Sequence, residues 1–103
     1  MKPEAKASKE VQDFLKQVGF AVWSTEQGYR KERGGTRTTA GFPDLVAFGH
    51  YLILFIEVKA FGKKKNLSPA QKLFRGECWK NGGFYRTVDS AADVFDWLVE
   101  LNV

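Results

Sequence analysis

Apolar residues recur at helical spacing in three segments of the chain, and each segment has end signals. The first is expected to form a helix that ends at Gly19, because glycine tolerates the backbone conformation that closes a helix. The second begins at Ser68-Pro69, which suit the N-cap and the first helical position, and ends at Gly82-Gly83. The third follows Ser90. The apolar positions of the first and third helices are Val11, Phe14, Leu15, Val18, Val94, Phe95, Leu98 and Leu101.

Four short segments between these helices are rich in β-branched and aromatic residues, which predicts strands. The second and third are separated only by Gly49-His50-Tyr51, a spacing typical of a β-hairpin. The order is therefore α-β-β-β-α-β-α, an α/β (α+β) arrangement. No repeat or linker is recognised, so residues 1–103 are expected to form a single domain. The predicted strands are 20–24, 44–48, 52–59 and 84–88.

The composition is that of a small folded domain. Of the 103 residues, 44% are hydrophobic and 15% aromatic, which is unlike a disordered chain. The net charge of +4 permits a polyanionic partner. Cys78 is the only cysteine, so no internal disulfide can form, and a reducing, cytoplasmic setting is expected. The longest apolar run, Leu52–Ile56, is too short to cross a membrane, so no membrane partner is expected.

The third predicted strand is unusual because its apolar run ends in an acid and a base. Leu52–Ile56 has no polar alternation and is expected to be buried on both faces, yet Glu57 and Lys59 follow it directly. Residues two apart in a strand share a face, so these two charges should lie side by side. If the hairpin turns around residues 49–52, Asp44 lies near Glu57. Two carboxylates and a lysine would then meet at the open end of the hairpin.

This combination favours a divalent-cation site. Neighbouring carboxylates repel each other, which raises the pKa of one of them, and a divalent cation removes that repulsion. Ligands that are all oxygen suit Mg²⁺ or Mn²⁺ rather than zinc. The backbone carbonyl of Val58 would add a third protein oxygen, and Lys59 would orient or deprotonate an attacking water.

Three segments in order, "GFPDLVAF", "IEVKA" and "LSPAQ", resemble the PD-(D/E)XK nuclease superfamily, and more closely its VRR-NUC branch. The resemblance spans nearly the whole chain. It implies a restriction-endonuclease-like core with a central mixed sheet flanked by helices. It also implies Mg²⁺- or Mn²⁺-dependent hydrolysis of nucleic-acid phosphodiester bonds.

The resemblance also implies roles for individual residues. Two carboxylates and a backbone carbonyl would hold the metal, while a lysine and a glutamine would be catalytic. An acid in the first helix would complete the site, and Glu4 fits that position better than Glu10. The implied metal ligands are Asp44, Glu57 and the Val58 carbonyl, with Glu4 as a candidate fourth, and the implied catalytic residues are Asp44, Glu57, Lys59 and Gln71.

Two basic loops adjoin these positions. The loop 25–43 has nearly twenty residues, a length that usually marks a functional or disordered segment. The loop 60–67 follows the third strand and should lie at the rim of the site. We expect both loops to contact the phosphate backbone. Their basic residues are Arg30, Lys31, Arg33, Arg37, Lys63, Lys64 and Lys65.

Simpler interpretations remain open for these residues. Asp44 also fits a turn, and Glu57 with Lys59 also fits an ion pair on the sheet surface. Gln71 also completes a capping box with Ser68. The lysine run also fits a solvated surface. The tryptophans, expected in the core or an interface, are Trp23, Trp79 and Trp97.

The leading hypothesis is a stand-alone, metal-dependent endonuclease. Small VRR-NUC members, often encoded by phages, are similar to Holliday-junction resolvases. That similarity implies a homodimer acting on four-way or branched DNA, because two symmetric nicks need two active sites. One alternative is a nuclease subunit of a restriction or repair assembly that includes a helicase. Another is a non-catalytic nucleic-acid-binding module that uses only the basic loops.

Overall fold

The structure, a computed structural model, describes residues 1–25 and 40–103. The described elements follow the predicted order, and the strand ends differ from the predicted ones by at most one residue. The elements are α1 (Pro3–Gln17), β1 (Ala21–Ser24), β2 (Leu45–Gly49), β3 (Leu52–Val58), α2 (Pro69–Lys80), β4 (Phe84–Val88) and α3 (Ala91–Glu100).

The four strands form one mixed sheet in the order β1-β2-β3-β4. The β1–β2 and β2–β3 pairs are antiparallel, and β4 pairs in parallel with β3. A parallel neighbour needs a crossover connection, and α2 provides it. Helices pack on both faces of the sheet. The predicted α/β (α+β) class, with a central mixed sheet flanked by helices, is confirmed.

The hairpin between β2 and β3 determines which residues meet at its open end. Its turn is made by His50-Tyr51, whose φ angles of 52° and 64° are those of a two-residue type I′ turn. From this turn, Leu45 pairs with Ile56 at the far end of β2. The next residues beyond this pair are Asp44 and Glu57, so the short turn brings these two acids to the same end of the sheet.

One face of the sheet carries the hydrophobic core beneath α1 and α3. Alternate residues of β3 point into this core, which leaves the intervening residues, Glu57 among them, on the other face. Trp97 of α3 is buried here, as expected for a core tryptophan. The core consists of Ala7, Val11, Leu15, Phe20, Leu45, Ala47, Leu54, Ile56, Val58, Val88, Val94, Trp97 and Leu98.

The second face of the sheet is covered by α2 through a group of aromatic rings. Phe74 of α2 lies between Phe42, Phe55 and Tyr85, with ring centroids 5.2 to 5.9 Å away. The Phe74 ring meets the rings of Phe42 and Phe55 edge to face, an arrangement that aromatic pairs prefer. This group anchors α2 over β3 and β4, close to the end of β3 that carries Glu57.

The expectation that Leu52–Ile56 is buried on both faces is wrong. Ile53 is 53% exposed, because α2 packs over β4 and the Phe55 part of β3 and does not reach the hairpin turn. Trp23 of β1 lies on the same uncovered face and is 64% exposed. The run lacks polar alternation although part of one face meets solvent.

The basic residues Arg30, Lys31, Arg33 and Arg37 lie outside the described residues, and their role stays a prediction. Within residues 1–25 and 40–103, none of the helices combines the length and the apolar character needed to cross a bilayer.

Leu54 provides a test of the core. Its side chain is fully buried, and Leu54→Ala should lower the free energy of unfolding by roughly 2–5 kcal/mol through lost burial and a cavity. Leu73→Ala is the matched control, since Leu73 is 68% exposed and its loss should cost less than about 0.5 kcal/mol. Urea unfolding of both variants measures this, and equal effects would contradict the core as described.

Candidate active site

Asp44 is fixed in place by the strands on either side of it. The backbone N–H of Thr25, just after β1, donates to the Asp44 carbonyl at 2.9 Å, and the Thr25 hydroxyl donates to the Pro43 carbonyl at 2.7 Å. On the other side, the Val58 N–H donates to Asp44 Oδ2 at 3.0 Å. The Asp44 carboxylate thus accepts the Val58 N–H bond that a backbone carbonyl would accept if β2 were longer. Asp44 is therefore held by both neighbours of its strand.

The segment that leads to Asp44 packs closely against the start of α2. Gly41 has φ +86°, which favours glycine, and a Cβ at this position would clash with the Ala70 carbonyl. Glycine therefore allows the "GFPD" segment to contact the first turn of the helix that begins at "SPAQ". The two motifs, far apart in sequence, meet here.

Glu57 is the most deeply buried charged residue near the site, at 2% exposure. Its Oε2 accepts a hydrogen bond from the Gln71 side-chain amide at 2.9 Å and lies 3.5 Å from the Lys59 ammonium. Its Oε1 is buried and has no hydrogen-bond partner among the described residues. An unpaired buried carboxylate oxygen is costly, so this atom is a candidate ligand position.

Gln71 connects the helix cap to the acidic group. Its Oε1 accepts bonds from the Ser68 N–H at 2.8 Å and the Lys59 ammonium at 3.1 Å, while its amide donates to Glu57. The capping interpretation of Gln71 is therefore right, because the Gln71 N–H also donates to the Ser68 hydroxyl. One side chain both caps α2 and holds the two charged residues of β3.

Burial raises the pKa of the Glu57 carboxyl above its ordinary value of 4.5. Its interactions with Lys59 and Asp44 oppose this shift, while the negative charge of Glu4 adds to it. The start of α1 lies close to the end of β3, because Glu4 and Val58 line the same cleft. A cation placed among these acids would favour the ionised form of Glu57.

A cleft of about 420 Å³ opens beside Asp44 and Val58. Glu4 of α1 lines it, whereas Glu10 lines a different cavity with Phe61 on the other side of the helix. The structure therefore brings Glu4, and not Glu10, to the acidic group. The sequence alone had favoured Glu4 without deciding between them.

Two polar residues of α1 that the sequence analysis did not single out line the same cleft. Ser8 and Gln12 follow Glu4 at intervals of four, and the Gln12 amide donates to the Ser8 hydroxyl at 3.0 Å. This polar stripe runs beside the buried positions Ala7 and Val11. Its spacing was a readable signal of a helix face directed toward the site.

The residues present fit a divalent cation with a water-rich coordination shell. Asp44 and the buried Oε1 of Glu57 supply carboxylate oxygen, and Val58 lines the cleft beside Asp44. In residues 1–25 and 40–103, no three acidic, histidine or cysteine side chains form a group that could hold an ion. Mg²⁺ tolerates this, because it commonly keeps several waters and takes only one or two carboxylates. Glu4 thus lies in the same cleft as Asp44 but does not form a third ligand of the site.

The lysine run lies elsewhere than expected. Lys64 pairs with Asp93 at the start of α3, at 2.9 Å, and Lys64 and Lys65 line a second cleft with residues of α2 and β4. The Gly62 N–H donates to Asp89 at 2.9 Å, which ties this loop to the end of β4. Lys63 is exposed. Lys64 and Lys65 therefore face a surface beside the acidic group and do not line its cleft.

Comparison with known proteins identifies a solved structure with the same fold. No family profile and no curated protein matches the chain. A solved structure described as a VRR_NUC domain is 27% identical, with a TM-score of 0.66 and coverage of 97% of each chain. The chain has the VRR-NUC domain fold. The resemblance predicted from its three motifs is thereby confirmed, and a VRR-NUC domain implies a nuclease-type function.

The raised pKa of Glu57 makes a signed prediction for stability without divalent cations. A carboxyl with a raised folded pKa contributes stability below its unfolded pKa and loses it as the pH rises through the folded pKa. Glu57→Gln removes this dependence, so the unfolding free energy of the variant minus that of the wild type should increase with pH above about 4.

Glu100→Gln is the control of opposite sign. Arg86 donates two hydrogen bonds to Glu100 and lowers its pKa, so the stability that Glu100 contributes is present above the unfolded pKa and lost as the pH falls. For Glu100→Gln, the unfolding free energy of the variant minus that of the wild type should fall as the pH rises. The fall should be small, because the ion pair is exposed to solvent. Urea titrations in EDTA across the pH range measure both, and a flat Glu57 difference would contradict the assigned burial effect.

Proposed function

We propose that this VRR-NUC domain is a Mg²⁺- or Mn²⁺-dependent endonuclease whose active site is built on Asp44, Glu57, Lys59 and Gln71. The observation that carries the proposal is that the buried Glu57 carboxylate lies beside the Asp44 carboxylate, with no hydrogen-bond donor on its Oε1 among the described residues. A purely structural ion pair would be expected to satisfy both oxygens. Asp44, Glu57 and the Val58 carbonyl would hold the cation, and Glu4 would act through solvent or substrate.

The protein's own groups then have distinct tasks. A bound divalent cation supplies Lewis-acid polarisation of the phosphodiester and neutralises its developing charge. Lys59, held by Gln71 and Glu57, orients the attacking water and donates to the phosphate. Water adds to phosphorus as the bond to the leaving oxygen breaks, the attacking water gives up a proton to solvent, and the leaving oxygen takes up a proton from solvent. Gln71 holds the side chains of Lys59 and Glu57 in place through one hydrogen bond to each, so it acts as a positioning residue.

The preferred substrate is proposed to be four-way or branched DNA, cut by a homodimer in the cytoplasm of a bacterial host. Support for a dimer comes from the uncovered sheet face near the hairpin turn. Phe48 and Ile53 pair across β2 and β3, and both are exposed on the face that also carries Trp23. A cross-strand apolar surface of this kind is typical of protein interfaces.

Loss of a metal-binding carboxylate should abolish cleavage without abolishing DNA binding. Asp44→Asn and Glu57→Gln remove ligand charge and should reduce Mg²⁺-dependent nicking at least 100-fold, on the order of the losses found when a site's charge stabilisation is removed. Asp96→Asn is the control, because Asp96 is exposed on α3. Gel assays of nicking and anisotropy measurements of binding in EDTA check both parts. Full cleavage by either site variant would refute the assignment.

Substrate selectivity is tested with four-way, flap and linear duplexes of equal length and sequence content. A homodimer that spans a branch point should nick the four-way substrate faster, because both active sites engage one molecule. Equal rates on all three would rule out structure selectivity while leaving the endonuclease assignment intact.

The proposed interface predicts the effect of a charge on the exposed sheet face. Ile53→Asp should convert a dimer to a monomer, because a carboxylate buried in an apolar interface is costly. Leu73→Asp is the matched control, since Leu73 is also an exposed aliphatic residue, 68% exposed against 53% for Ile53, but lies on α2. Light scattering after gel filtration gives the masses. A monomeric wild type, or an Ile53→Asp dimer, would reject this interface.

A further inference from the structure

Lys64 and Lys65, which the sequence predicts to contact the phosphate backbone, line a cleft separate from the one beside Asp44. It has a volume of about 400 Å³ and lies between α2, the loop 60–67 and β4, one of the two edge strands of the sheet. We call it the α2–β4 cleft. Its charged and aromatic lining residues are Lys64, Lys65, Lys72, Arg75, Trp79 and Arg86.

Three cations of the α2–β4 cleft carry uncompensated charge. Arg86 is paired with Glu100 and Lys64 with Asp93. Lys65, Lys72 and Arg75 have no carboxylate partner in the part of the chain that the structure describes. Clustered positive charge costs folding free energy through repulsion, and a polyanion would offset it. The cleft therefore presents a local positive potential that the fold does not itself neutralise.

Arg75 is held in position within this group. Its guanidinium lies over the Trp79 ring, 5.1 Å from the centroid, and the Trp79 indole N–H donates to the Tyr85 carbonyl at 3.1 Å. The ring is thus fixed to β4, and it restricts the arginine. A guanidinium held in place loses less entropy when it binds a phosphate than a freely moving one.

Gly76 is a separate observation on the same helix face. It follows Lys72 by four residues and precedes Trp79 by three, so it lies between them on the helix surface. A Cβ at Gly76 would meet no described atom within 4 Å, so no contact in the described fold requires glycine here. Glycine inside a helix lowers stability relative to alanine. It is a residue that lets another molecule approach the backbone closely.

We propose that the α2–β4 cleft is a second nucleic-acid contact, which binds the phosphodiester backbone away from the scissile bond. This inference rests on the proposed nuclease function, since it assumes a nucleic-acid substrate. Lys65, Lys72 and Arg75 contact successive phosphates, and Gly76 lets the strand lie against the helix. The cleft positions substrate and takes no part in bond breaking.

The position of Arg75 on α2 sets the reach of this contact. Arg75, the proposed phosphate contact farthest along the helix, lies four residues beyond Gln71, about 6 Å along the axis at 1.5 Å per residue. At about 3.4 Å per nucleotide, that is about two nucleotides from the acidic group. Trimming the substrate by more than this on one side of the cut should remove the contribution of the cleft, whereas trimming the other side should not.

The test is DNA binding by the full chain in EDTA, with the double variant Lys72→Ala/Arg75→Ala. Lys6→Ala/Lys16→Ala is the control, because it removes two exposed charges from α1. Each lost phosphate contact lowers the slope of log K against log salt by about 0.9, so the cleft variant should lose nearly two and the control less than one. In cleavage assays with Mg²⁺, the KM of the cleft variant should rise while its kcat stays unchanged. A slope equal to that of the wild type or the control would overturn the proposal.

Gly76→Leu separates binding from folding. A side chain at this position should leave the melting temperature unchanged or raise it, and Gly76→Ala should raise it by roughly 2–8 °C. The leucine should nevertheless weaken DNA binding, because it blocks approach to the backbone. Undiminished binding by Gly76→Leu would overturn the close approach. If the wild type cleaves no DNA, the proposed nuclease function is wrong. The salt slopes would still show whether the α2–β4 cleft binds DNA.

Discussion

Glu57, the next-to-last residue of β3, has one carboxylate oxygen bonded to Gln71 and the other buried without a hydrogen-bond donor among the described residues. A buried carboxylate costs several kcal/mol unless it is paired and hydrogen-bonded, and here the pairing is only half complete. The Lys59 ammonium lies 3.5 Å from the oxygen that bonds to Gln71, and Asp44 directly precedes the neighbouring strand β2. The other parts of the site can be understood as holding this incompletely neutralised acid in place.

Several local features serve that purpose. The Ser68 cap starts α2 where Gln71 reaches Glu57, and the aromatic group around Phe74 holds the helix against the sheet. Gly41 lets the segment before Asp44 contact that same first turn. The acidic group therefore depends on a helix start, a hairpin end and a close backbone contact. Disturbing any one of them should displace the carboxylates from each other.

Much of this could be predicted from the sequence, because it depends on local spacing. The type I′ turn and the two-residue period of β3 put Asp44 and Glu57 at one end of the sheet, and the N-cap of α2 follows from Ser68-Pro69. Exposure of Ile53 could not be predicted, because it depends on how far α2 extends across the sheet. Strand composition carries no information about that distance.

Contacts between elements that are distant in sequence could not be predicted from local patterns either. The bond from Gln71 to Glu57, and the location of Lys64 and Lys65 beside α2 and β4, both depend on the crossover that places α2 over β4. Helical spacing did contain the Glu4-Ser8-Gln12 stripe, but only the packing of Ala7 and Val11 shows which way it faces. Sequence patterns thus identified the residues of the acidic group, and tertiary packing determined which of them touch.

A crystal of the wild-type protein soaked in Mn²⁺ provides the most direct measurement, because manganese gives an anomalous signal that identifies its position. We expect a peak within bonding distance of Glu57 Oε1 and the Asp44 carboxylate, near the Val58 carbonyl. If a crystal soaked to saturation in Mn²⁺ shows no peak at these oxygens, or shows manganese only elsewhere, the assignment of Glu57 as a metal ligand is contradicted.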